Sequence, residues 1–160
     1  MESLVIQAPH NKEKFHDGAG IGTSDCSRGK ARPAPTGFTL VHIESDRANA
    51  LLLRYLMDLK GHHTLYQATD GGSGLELCLQ LHPDLILTEM HLPDMNGHEL
   101  LQRLRAHAAT RHTLCIVLSG DAMNNTIERA LAAGFDDYWT KPIDVWQFLD
   151  KLHEALGRIR

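Results

Sequence analysis

No long apolar run occurs anywhere in this chain. None approaches the roughly 18 residues a membrane-spanning helix needs, so no such span is expected. A basic surplus is also missing. The 16 Lys and Arg stand against 20 Asp and Glu, a net charge of −4, which argues against general nucleic-acid binding. Cysteine is scarce. Cys26, Cys78 and Cys115 share no metal-ligand spacing, and three thiols fit a reducing, cytoplasmic setting better than a disulfide framework. The opening residues, MESLVIQAPHNKEK, have neither the basic start nor the sustained apolar core of a secretory signal. Histidine is plentiful, with 11 copies, but scattered. Only His62 and His63 are adjacent, so no histidine metal site is expected.

What is present divides the chain in two. Residues 1–37 read as a flexible tail, because Gly18, Gly20, Gly22, Pro33, Pro35 and Gly37 interrupt any apolar period. This segment is a leader or linker, or alternatively a partner-binding piece. Its five Lys/Arg nearly balance four Asp/Glu, whereas residues 38–160 carry 11 against 16. From Phe38 onward strand and helix signals alternate. FTLVHIE, HTLYQAT, DLILTE, TLCIVLS and DDYWT read as strands. ANALLLRYLMDLKG reads as a helix with Leu52, Leu56 and Leu59 inward and Gly61 as its stop. Further helices follow at 73–81, at HELLQRLRAH, at NTIERALAAG with Ile127, Ala130 and Leu131 inward, and at VWQFLDKLHEAL with Val145, Phe148, Leu149, Leu152 and Leu156 inward.

Five such βα units imply an α/β fold, a three-layer sandwich around a parallel sheet. Right-handed crossovers leave the flavodoxin-like strand order 2-1-3-4-5 as the expected one. In such sheets the working crevice lies beyond the carboxyl ends of the strands. The residues there are Glu44, Ser45, Asp46, Glu89, Ser119 and Lys141.

Over about residues 38–157 these segments resemble a known family. DLILTEMHLPDMNGHELLQRLR is similar to the third-strand region of two-component response-regulator receiver domains (CheY-like), and LSGDAM with ALAAGFDDYWTKPI to their fourth and fifth strands. The resemblance implies a site in which a strand-three Asp accepts a phosphoryl group from a histidine kinase. Two acids after strand one hold Mg²⁺, and a hydroxyl and a lysine contact the phosphoryl group. Mapped onto this chain, Ser119 takes the hydroxyl position and Lys141 the lysine position, with Pro142 after it. Tyr138 takes the position of the aromatic whose rotamer reports activation, and Gly120 that of the small neighbour. His91 offers its backbone carbonyl to the metal.

Two departures shape the functional expectation. The acceptor position holds Glu89, and the second acidic position holds Ser45. Asp46 falls one place late for the family pattern, leaving it only a loop rearrangement as a route to the metal. Glutamate is one methylene, about 1.5 Å, longer than aspartate. A misplacement of about 1 Å costs roughly a hundredfold in rate. Serine at 45 removes a hard anionic ligand, so Mg²⁺ held by Glu44, Glu89 and the His91 carbonyl is weak or lost. The expected protein is a non-enzymatic pseudo-receiver, a phosphorylation-independent binding module with no cofactor. Lys141 is free to pair directly with Glu89. Two alternatives stand beside it. One is a working Mg²⁺-dependent phospho-receiver served by a histidine kinase or phosphotransfer protein. The other is a dimerisation or scaffold domain that does not switch.

Partner candidates are a histidine kinase, a phosphotransfer protein or a downstream effector, without nucleic acid or membrane. A homodimer through the helix 4–strand 5–helix 5 face is a further expectation. Trp139 and Trp146 lie in that region and are its candidate contact residues, since Trp is enriched in binding hot spots; the plainer readings are that Trp139 packs in the core and Trp146 covers a helix edge. Cys115 is expected in the core, and Asp94 reads as a loop acid within the turn LPDMNG.

Overall fold

Alternation of strand and helix signals from Phe38 onward becomes, in the computed structural model, a five-stranded parallel sheet covered on both faces. The structure describes residues 37–61 and 63–159. The reading of residues 1–36 as a tail, and the thiol of Cys26, lie outside the described residues. The elements run β1 (Thr39–Ile43), α1 (Arg47–Lys60), β2 (Thr64–Ala68), α2 (Gly71–Leu81), β3 (Leu85–Thr88), α3 (Gly97–Ala106), β4 (Leu114–Ser119), α4 (Asn124–Ala133), β5 (Asp137–Thr140) and α5 (Val145–Gly157). The strand order is β2-β1-β3-β4-β5, as the alternation implied.

Local chemistry sets the boundaries. The Asp46 carboxylate accepts from the Asn49 amide and caps α1, while Gly61, at φ 64°, ends it in the left-handed region. Asp70 caps α2 through the Ser73 amide, and Asp144 caps α5 through the Gln147 amide. Gly74 lets α2 lie against β1, because a Cβ there would collide with the Ile43 side chain.

The sheet separates two apolar layers. Val41, Ile43, Ile86, Cys115 and Val117 face α2, α3 and α4 through Leu77, Cys78, Leu100, Leu101, Leu104 and Ala130. Leu40, Leu85, Leu87, Ile116, Leu118 and Trp139 face α1 and α5 through Leu53, Leu56, Met57, Phe148, Leu152 and Leu156. Four inward assignments, on three helices, need correction. On α1 the buried residues are Leu53, Leu56 and Met57, and Leu52 and Leu59 point outward. On α4 Leu131 is exposed, leaving Ala130 buried. On α5 Val145 is exposed at the first turn.

Candidate functional site

Parallel register gathers four strand ends at one edge of the sheet. Ile43 pairs with Thr88, so Glu44 and Glu89 emerge side by side. Ser119 pairs with Thr140, so Lys141 follows beside Ser119. Backbone bonds extend this alignment past the strands, from Glu89 N to Ile43 O at 3.0 Å and from Lys141 N to Ser119 O at 2.8 Å. The Lys141–Pro142 peptide is cis.

The Lys141 ammonium sits between the two carboxylates. It donates to Glu89 Oε2 at 2.8 Å and, in a shorter contact, to Glu44 Oε2. All three groups are withdrawn from water, with side-chain exposures of 10% for Lys141, 3% for Glu44 and 12% for Glu89. The remaining carboxylate oxygens are also engaged. Glu89 Oε1 accepts from its neighbour's amide, Met90 N, at 2.6 Å, and Glu44 Oε1 accepts from Asp46 N at 2.9 Å. Burial alone would raise the Glu89 carboxyl. The Lys141 and Ser119 hydrogen bonds, the lysine charge and the Met90 amide outweigh it and hold the group below the usual carboxylate range. Burial likewise opposes charge on Lys141, yet the two glutamates push its ammonium above the ordinary lysine value.

The other sequence-derived positions separate into those that join this cluster and those that do not. Ser119 is buried beside Glu89 and accepts from Asp121 N at 3.3 Å. Tyr138 is buried, and its phenol donates to the Asp121 carbonyl at 2.6 Å. Gly120 leaves open space where a Cβ would stand. Ser45 is exposed. Asp46 is exposed too, with its carboxylate spent on the α1 cap, so only Glu44 of the three-residue acidic stretch enters the pocket. His91 is exposed and forms an isolated antiparallel bridge with Asn96. Trp139 takes the core reading and is corrected as a contact candidate. It is 2% exposed, its indole donates to Asp137 at 2.9 Å, and its ring meets Phe148 edge-on, so it is core rather than partner surface. Trp146 is 77% exposed.

As paired here, the two pocket carboxylates are not free to ligate a divalent cation. Mg²⁺ asks for several hard oxygen ligands. The two carboxylates present are both held by an ammonium, and Asp46 is turned to the helix cap. Among the described residues no three His, Cys, Asp or Glu side chains group as a metal would require.

Sequence reasoning missed two neighbouring features. Asp94 does more than sit in a loop. Its two carboxylate oxygens accept from Gly71 N and Gly72 N at 2.8 Å each, tying the loop after β3 to the start of α2. The signal was an acid in a turn facing a helix that opens on two glycines. The second feature is His42, buried directly below Glu44 on the same face of β1. Gln67 Oε1 accepts from Arg54 at 2.7 Å, which fixes the amide so that its Nε2 donates to Ala50 O at 2.8 Å and faces His42 Nδ1 at 3.2 Å. His42 is therefore protonated on Nε2. Burial, aided by the Lys141 charge, lowers its pKa to about 3. A histidine inside an apolar strand carried the signal, but periodicity alone does not reveal its partner.

The family model described as response regulator receiver domain matches residues 40–153. The polar-differentiation response regulator DivK of Brucella ovis is 32% identical over 115 residues, spanning 72% of this chain and 93% of that protein. A CheY-like receiver domain protein from Methanospirillum hungatei superposes with a TM-score of 0.68 at 27% identity, covering 76% of this chain and 95% of the other. The receiver domain of a sensor histidine kinase from Pseudomonas aeruginosa, solved with magnesium in its active-site cleft, matches with a TM-score of 0.69 at 23% identity, covering 76% and 98%.

Proposed function

The chain belongs to the response regulator receiver domain family of two-component signalling, and from that premise we propose that it is a phosphorylation-independent protein-binding module. The observation that carries this reading is the Lys141 ammonium bonded to both Glu44 and Glu89. Phosphoryl transfer is mainly positioning plus charge neutralisation. Here the nucleophile position is one methylene too long, its carboxylate is occupied, and the cation beside it is the protein's own. The chain performs no catalytic step of its own and needs no cofactor. Mg²⁺ binds weakly if at all, because it must displace Lys141 from both acids.

A metal-free pair also holds the site in one state. Glu89 is bonded to Lys141 and to the Met90 amide, and the buried Tyr138 phenol closes on Asp121, two residues beyond Ser119. Function then passes to the surface. The partner is a histidine kinase, a phosphotransfer protein or a downstream effector, met through the α4–β5–α5 region, where Met123, Leu131 and Trp146 are exposed. No helix among the described residues is long and apolar enough to cross a membrane, and the buried, unpaired thiols of Cys78 and Cys115 suit a cytoplasmic setting.

Incubating the protein with a small-molecule phosphodonor and Mg²⁺, followed by intact mass measurement, tests the proposal. The expected result is no adduct. A stoichiometric gain of about 80 Da, the mass of one phosphoryl group, would sink it.

A further inference from the structure

Strand β1 puts one polar ring into the apolar layer beneath α1 and α5, on the face it shares with Leu40. His42 is 1% exposed. Its Nδ1 accepts from Gln67 Nε2 at 3.2 Å, so the ring's proton sits on Nε2. Among the described residues that Nε2–H has no hydrogen-bond partner. A buried donor without an acceptor keeps its desolvation penalty with nothing to offset it. Its neighbours across the sheet offer no acceptor. His42 pairs with Gln67 on β2, whose amide oxygen is held by Arg54, and with Leu87 on β3. Side chains alternate along a strand, so the next one on this face is Glu44. It stands about 6.6 Å further up β1, a gap that a glutamate arm and an imidazole close between them.

We propose that Glu44 has two alternative donors, Lys141 in the present state and the His42 Nε2–H once Lys141 is drawn off, so that the pocket can release its lysine without stranding a buried carboxylate. Glu44 is 3% exposed, and a bare carboxylate at that depth is strongly destabilising. Turning Glu44 down the strand gives up its bonds to Lys141 and to Asp46 N. The Asp46 amide belongs to an exposed residue and returns to water. The imidazole gains the acceptor it lacks. Gln67 is clamped between Arg54 and the Ala50 carbonyl, so its amide keeps donating to Nδ1 and the tautomer stays fixed. The ring remains neutral throughout, and the step is a side-chain rotation in which no proton changes owner. The released ammonium is then free to meet an anionic group arriving at the pocket mouth.

The test uses the full chain carrying Glu89→Gln, which removes the second acid. Adding Lys141→Met to it leaves Glu44 as the one carboxylate stripped of its cation. Proton–nitrogen NMR of the imidazole N–H reads the switch. With Lys141 present, the His42 Nε2–H should resonate as a free donor. Lys141→Met should move it downfield, as a bond to a carboxylate does, and a further Glu44→Gln should move it back. Urea unfolding gives a second readout. Lys141→Met should shift the folding equilibrium about tenfold further in a His42→Phe chain than in one that keeps His42, a coupling that independent sites do not show. A His42 N–H unmoved by Lys141→Met overturns the proposal, and so does a Lys141→Met cost that His42→Phe leaves unchanged. A Glu89→Gln, Lys141→Met chain that fails to fold overturns it too, because His42 is then no substitute for the lysine. A phosphoryl adduct on Glu89 would end the phosphorylation-independent reading and leave this one standing, since Glu44 and His42 make the exchange without Glu89.

Discussion

At the scale of single residues, the proposed loss of acceptor chemistry has Glu89 and Ser45 acting on the same step, so changing either one alone is not expected to restore it. Shortening the acceptor in Glu89→Asp withdraws the carboxylate from Lys141 but leaves the metal ligands incomplete. Ser45→Asp supplies an acid beside a nucleophile that is still misplaced. The double variant should accept a phosphoryl group from a small-molecule donor at least a hundredfold faster than either parent residue set, since it relieves a positional fault and a charge fault together. Intact mass against time reads this directly. If the double variant stays inert, the fault lies elsewhere in the pocket. Nearby, His42 makes an independent prediction. Its folded pKa is about 3 against 6.5 unperturbed, so the unfolded chain takes up the proton first. Stability therefore falls as pH drops from 6.5 towards 3, by up to about 1.4 kcal/mol per pH unit. His42→Leu should flatten that slope, measured by urea unfolding across the range. An unchanged slope would show that His42 is not the group taking up the proton.

At the scale of elements, several helix starts are fixed by aspartates. Asp46, Asp70 and Asp144 each cap the helix that follows them, and Asp94 reaches across from another loop to the two opening amides of α2. Asp94→Ala removes two acceptors at once, beside amides that Asp70 does not reach. A loss of about 1–2 kcal/mol is expected in guanidinium unfolding, with the midpoint shifted and the slope retained. The elements also show what a sequence can and cannot reveal. Strand positions were legible because LILT and LCIVLS are apolar on both faces, which only a covered parallel sheet explains. The side of α1 that meets the sheet was not legible. Leu52, Leu56 and Leu59 share a helical period, but so do Leu53, Leu56 and Met57, and periodicity cannot rank two stripes on one helix. The site was legible where a backbone position decides it, at Glu89, Ser119 and Lys141. It was not where a side chain has a choice of partners: Asp46 takes the cap, and Trp139 turns inward to Asp137.

At the scale of the whole molecule, the buried Lys141 cluster ties three strand ends together and gives stability a defined pH window. Glu89 is depressed, so its contribution holds above the unfolded carboxylate value of about 4.3 and is lost as pH falls through its lower folded value. Lys141 is raised, so its contribution holds below about 10.4 and is lost as pH rises through its higher folded value. Between those limits the fold supplies its own cation, and that fixes its response to metal. A ligand that binds only the folded state stabilises it by about 2.7 kcal/mol at a hundredfold excess over its Kd. For a domain of this size that means a rise of several degrees in Tm. Millimolar Mg²⁺ should leave the Tm of this protein unchanged, because the two acids already hold an ammonium and separating them costs what the metal would return. The Glu89→Asp, Ser45→Asp double variant, with a third carboxylate at the pocket's rim and an acceptor drawn back from Lys141, should gain those degrees on the same titration. Scanning both proteins with Mg²⁺ and with a matched monovalent salt separates specific binding from screening. A Tm rise of equal size in the unaltered protein would mean that Lys141 yields its acids to the metal, and the closed pair would then be one state of a working switch.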